Sequence, residues 1–125
     1  MLLALALALA LALATDNAFD ARVHTAKMLE NNAEGKLWQG RLWDSIGNPA
    51  TDALKGCIAS NMPAADRRPF TLVARVAADG RSSDVDVRPK STVATCFAGQ
   101  FATWTLPKPP KTPTPYPLEI DVTMD

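Results

Sequence analysis

The segment "FTLVARVAADGRSSDVDVRP" (Phe70 to Pro89) constrains the fold of this chain more than any other. Asp79–Gly80 is a strong two-residue hairpin signal, because both central positions of the favoured turn need positive φ. Placing the turn there predicts Ala78 beside Arg81, Val76 beside Ser83, Ala74 beside Val85 and Leu72 beside Val87. The large apolar residues of the second strand then lie next to those of the first, the consistency expected when one face is buried. The other face carries Arg75, Asp84, Asp86 and Arg88, with Arg75 opposite Asp84 as a cross-strand ion pair, and is expected to be solvated. Such a hairpin needs a cover on its apolar side.

Two segments supply covering helices. In "STVATCFAGQFATWTLPKPP" (Ser91 to Pro110), Ser91 is an N-cap. Val93, Cys96 or Phe97, Gln100 or Phe101, and Trp104 step along one face. Pro107, Pro109 and Pro110 prevent the helix from resuming, and "PKPPKTPTPYP" reads as an extended connector. In "NPATDALKGCIAS", Asn48 caps, Pro49 takes the first helical position and Asp52 lies in the first turn. Ala50, Ala53, Leu54, Cys57 and Ile58 make its apolar face. The chain closes on "LEIDVTMD", which alternates Leu118, Ile120, Val122 and Met124 with Glu119, Asp121, Thr123 and Asp125, the pattern of a half-buried strand.

The expected fold class is therefore α+β: a three-stranded antiparallel sheet covered on one face by two helices. Ahead of this unit, "TDNAFDARVHTAKMLENNAEG" predicts an N-terminal helix with Asp16 as cap, Phe19, Val23, Ala26 and Leu29 as its stripe, and Gly35 as its stop. "KLWQGRLWDSIG" reads as a connection or short strand whose Trp38 and Trp43 pack on the domain; the alternative is an exposed aromatic patch for a partner.

Two cysteines stand 39 residues apart, too far for a C-x-x-C redox motif. With Cys57 and Cys96 on the two covering helices, a structural disulfide is the preferred reading, and two buried free thiols the alternative. In the chain-entropy account a loop of that length stabilises by about 4 kcal/mol. A disulfide also implies an oxidising compartment. The N-terminus agrees. After Met1 come thirteen residues of leucine and alanine only, short of the roughly 20 that span a bilayer. "ALA" at 12–14 supplies a signal-cleavage pattern, so residues 1–14 are expected to be a signal peptide and Thr15 the first mature residue. No basic residue precedes the run, and the alternative is a start further upstream and an uncleaved membrane anchor. The expected organisation is signal peptide 1–14, helix and tryptophan-bearing connection 15–47, and folded unit 48–125, in an exported, periplasmic or secreted protein.

Residues 48–125 resemble the C-terminal domain of TonB and its relatives. The residues that carry the resemblance are "FTLVARV" running into "DG", the second strand "DVDV", the helix that follows, "WTLP" near its end, and "YPLEIDV" as the closing strand. Family members are periplasmic and accept a peptide segment of an outer-membrane transporter as an extra strand beside the last one. The resemblance implies that Leu118, Glu119, Ile120, Asp121, Val122 and Thr123 are the receiving strand, with Glu119, Asp121 and Thr123 facing outward. The chain departs from the family in its prolines, which precede the last strand, in residues 15–47, which have no counterpart, and in its two cysteines.

No pattern in the sequence carries catalytic, cofactor or metal chemistry. His24 is the only histidine, and it sits on the predicted surface of the first helix. Asp84 and Asp86, two apart on a strand, fit a solvated face better than an acid–base pair. Acidic and basic residues balance at thirteen each, which gives no field for nucleic acid or anionic membranes. Two functions remain. One is an exported binding module that takes a partner peptide by strand addition. The other is a structural or inhibitory protein whose N-terminal helix and Trp38/Trp43 segment form the interface.

Overall fold

The computed structural model describes residues 17–124. The expected signal segment, the Thr15 start and the Asp16 cap lie outside the described residues. The chain is α+β, and its described residues form three helices and one three-stranded antiparallel sheet. Helix α1 covers residues 17–30. Helix α2 is Ala33–Ser60, followed by β1 (Phe70–Val76), β2 (Ser82–Arg88), α3 (Thr92–Phe101) and β3 (Tyr116–Val122). The strand order is β2-β1-β3, so β1 is central and β3 is an edge.

Helix α2 corrects two expectations. It runs unbroken for 28 residues through "KLWQGRLWDSIG", which is neither strand nor connection, and Pro49 lies inside it. Asn48 is consequently no cap, and the expected division between residues 47 and 48 falls within one helix. The cap is Asn32, whose side-chain oxygen accepts from the Gly35 N–H at 2.8 Å. Gly35 is thus not a stop but the close-approach point of the α1–α2 corner, where an added Cβ would collide with the Leu29 carbonyl. Proline removes one intrahelical hydrogen bond and crowds the preceding turn. Burial of an unbroken stripe, Trp38, Leu42, Ile46 and then Cys57, with partly buried Ala50, Ala53 and Leu54 between, outweighs that loss.

The hairpin forms where expected, with one change of register. Gly80 N–H donates to the Ala77 carbonyl at 2.9 Å and Ala77 N–H to the Arg81 carbonyl at 2.8 Å. With Gly80 at φ 92°, the loop is three residues long, a turn closed by a left-handed glycine, instead of two. Val76 therefore pairs with Ser82, not Ser83. A bulge between Val73 and Arg75, with Asp84 at φ 50°, absorbs the offset, and Leu72 pairs with Val87 as expected. Arg75 and Asp84 do form an ion pair, at 2.7 Å.

Phe70, Leu72, Ala74 and Val76 of β1, together with Tyr116, Leu118 and Ile120 of β3, share the face that packs on α2 and α3. Ser91 caps α3 by accepting from Ala94 N–H at 3.0 Å, and Val93, Ala94, Phe97 and Phe101 are its buried side. Trp104 sets its ring edge-on to that of Phe97 and tilted against that of Phe101. Cys57 and Cys96 are bonded, with Cα atoms 5.7 Å apart. The proline segment has no regular secondary structure over residues 106–110 and bends at residues 111–115 before entering β3.

The opposite face of the sheet is not left to solvent. Phe19 and Ala26 of α1 are buried, and so is Val73 of β1, which belongs to that face. Arg22 of α1 donates to the Asp84 carbonyl at 2.6 Å, Lys27 pairs with Asp121 at 3.6 Å, and Arg88 lies over the Phe19 ring. The sheet is thus sandwiched between α1 and the α2/α3 pair.

Candidate functional site: the β3 edge and its groove

β3 pairs with β1 through seven consecutive residues with no bulge, from Phe70–Val122 to Val76–Tyr116. Its other edge pairs with no strand of the described residues. An edge of this kind presents unpaired backbone N–H and C=O groups to a further strand. The opposite edge, β2, is less suited. The Asp84 bulge interrupts it, and the Arg22 guanidinium already occupies the Asp84 carbonyl.

A groove of about 350 Å³ borders the C-terminal end of β3. One wall is α2, through Trp43, Gly47, Ala50 and Leu54, residues that recur every three or four positions and so fall on one side of a helix. Phe97 of α3 contributes to the floor, and residues from Ile120 to Thr123 form the other wall. Trp43 is 44% exposed, one of few large apolar side chains left open to solvent. Gly47 and Ala50 keep the helix wall low between Trp43 and Leu54.

The six residues expected on the receiving strand are placed unevenly. Leu118 and Ile120 are core residues that hold the strand in place, and Ile120 also lines the groove. Val122 and Thr123 line the groove. Asp121 is exposed but engaged, accepting from the Thr71 hydroxyl at 2.8 Å as well as facing Lys27. Glu119, expected to face outward, is buried under α1 at 6% exposure, beside the fully buried Val73. Its Oε2 has no hydrogen-bond partner. Burial, then a hydrogen bond to the Glu30 carboxyl and the charges of Glu30 and Asp121, push its pKa up to about 8, against a smaller opposing pull from Lys27.

The two tryptophans part company. Trp38 is fully buried, with its indole N–H on the Pro107 carbonyl and its ring edge-on to Tyr116 at 5.2 Å. It cannot belong to an interface. Trp43 borders the groove. Sequence reading missed Gly47, Ala50, Leu54 and Phe97 as groove residues, although the spacing of the first three follows from Trp43 once α2 is continuous.

His24 is exposed on α1. Among the described residues no cluster of His, Cys, Asp and Glu is arranged to hold a metal ion, and no helix is long and apolar enough to cross a membrane. No family model, no curated protein and no solved structure matches this chain.

Proposed function

We propose that this chain is an exported, periplasmic protein-binding module of TonB-like fold, which takes a peptide segment of an envelope protein as a fourth strand beside β3. The observation that carries the reading is the open, regular β3 edge lying next to an apolar groove. Main-chain hydrogen bonds would supply affinity, and pockets for alternate side chains would supply specificity. Residues of the added strand that point toward α2 would meet Trp43, Ala50 and Leu54, so the favoured segment alternates modest apolar side chains with polar ones. The Cys57–Cys96 bond supports an oxidising compartment. The reading involves no catalytic step, cofactor or nucleic acid.

A second reading keeps the same groove without strand pairing. A partner would then dock on α2 alone, through Trp43 and Leu54. Two variants separate the readings. Thr123 lies just past the β1–β3 ladder and lines the groove, so Thr123→Pro removes an N–H at the edge while leaving the ladder intact. A photo-crosslinker at Val122 would identify the partner segment in envelope extract, and the matching synthetic peptide would then be titrated. Strand addition requires that Thr123→Pro and Trp43→Ala both weaken the peptide by tenfold or more. Weakening by Trp43→Ala alone would establish docking on α2 and reject the added strand.

A further inference from the structure

Helix α1 is attached differently from the rest of the molecule. Among the described residues, the buried members of the main core come from α2, α3, the strands and Leu106, and α1 adds only the partly buried Leu29. On the far face α1 is held by two buried apolar side chains, Phe19 and Ala26, and by a few polar contacts near the surface. It joins α2 through residues 31 and 32, where the helix is interrupted and Asn32 begins a separately capped helix. α2 is itself anchored by Trp38, Leu42, Ile46 and the disulfide, so α1 can leave the sheet without dismantling the core.

Beneath α1 lies a carboxyl group with no good place to put a charge. Glu119 sits at the centre of the face, cross-strand from the fully buried Val73, with Oε2 buried and unpartnered. From α1 it meets the Glu30 carboxyl and, more distantly, Lys27. From its own strand it meets Asp121, while β1 contributes Val73 opposite, with Thr71 and Arg75 on either side of it and the Arg75 guanidinium paired with Asp84. Lys27, the cation that offsets this burden, already faces Asp121. An ionised carboxylate that is buried without a partner is costly, and a second carboxylate beside it adds to that cost.

We propose that α1 is a pH-operated cover: it lies on the sheet while the buried Glu119 carboxyl retains its proton, and it detaches when that proton is lost, exposing the Val73 face. The low cost of moving α1 and the high cost of a charge beneath it make detachment the way the structure relieves that charge. The device is independent of whether β3 takes a peptide.

The test uses the full chain, following the Glu119 carboxyl by carbon NMR and amide protection by hydrogen exchange corrected for intrinsic rate. Protection over residues 17–30 is expected to fall at least tenfold between pH 6 and pH 9, in step with a Glu119 titration near 8, while Leu72 in β1 stays protected. Glu119→Gln should hold α1 protected at pH 9. Glu30→Gln, which takes away the like charge, should lower both midpoints together and serves if the first variant does not fold. An unchanged α1 across the Glu119 titration, an identical fall in Glu119→Gln, or midpoints that separate in Glu30→Gln would each overturn the proposal.

Discussion

The indole N–H of Trp38 donates to the Pro107 carbonyl at 3.1 Å, tying the first half of α2 to a proline-rich segment 69 residues later. The same ring meets Tyr116 at the start of β3. One side chain thus fixes both ends of the connector that delivers β3 to the sheet. Trp38→Phe keeps most of the apolar contact and leaves the Pro107 carbonyl without its donor, which should cost about 1–3 kcal/mol. Trp38→Ala should cost about 3–5 kcal/mol through loss of a fully buried ring. Urea unfolding of the two variants measures both, and a cost below 1 kcal/mol for Trp38→Ala would contradict its core position.

Pro49 distinguishes a continuous α2 from two separate elements. At the first position of a helix Pro49→Ala would be nearly neutral. Inside a helix, proline is about 3 kcal/mol less favourable than alanine, offset by the roughly 1 kcal/mol by which it restricts the unfolded chain. Pro49→Ala should therefore stabilise the protein by about 1–2 kcal/mol and raise the melting temperature. A neutral result would favour a helix starting at Asn48.

The Cys57–Cys96 bond closes 39 residues and joins α2 to α3 over the sheet. Replacing both cysteines by serine should cost about 2–4 kcal/mol. Alkylation followed by intact-mass measurement, with and without reductant, checks the bond itself: two alkyl groups should add only after reduction.

Glu119 makes stability depend on pH in the direction opposite to an ion-paired carboxylate. The folded chain keeps its proton up to about pH 8, the unfolded chain only up to the ordinary value of 4.5. Between those limits the unfolded state binds fewer protons. The stabilisation is therefore full below 4.5 and is lost as pH rises through 8, at about 1.4 kcal/mol per pH unit for one proton. Denaturation curves for Glu119→Gln should show a flatter profile over that window and a more stable protein at pH 8. A wild-type profile that rises from pH 5 to 8 in parallel with the variant would refute this assignment.

Local signals were reliable where a few adjacent residues decide the outcome. Ser91 caps α3 because its hydroxyl reaches the Ala94 N–H, three residues away. The alternation in "LEIDV" places Leu118 and Ile120 inward because side chains alternate along any strand. The misreadings came from the same locality. Asn48–Pro49 carries the signature of a helix start, and only the burial of Trp38, Leu42 and Ile46 in line with Cys57 keeps the helix intact across it. Gly80 permits a two- or three-residue loop, and its approach to the Leu106 segment, where Leu106 N–H donates to the Gly80 carbonyl at 2.8 Å, accompanies the longer one.

The sequence by itself determined the hairpin, the α3 cap, the closing strand, the pairing of Cys57 with Cys96 and the α+β class. Each of these rests on periodicity, turn chemistry or a count of two cysteines. Only the tertiary structure decided that Trp38 is core while Trp43 borders a groove, and that Glu119 is buried under α1. The physical reason is that strand alternation tells which residues share a face, but not what covers that face. The cover for Glu119 is a helix some ninety residues earlier in the chain, and no local pattern around β3 encodes its arrival.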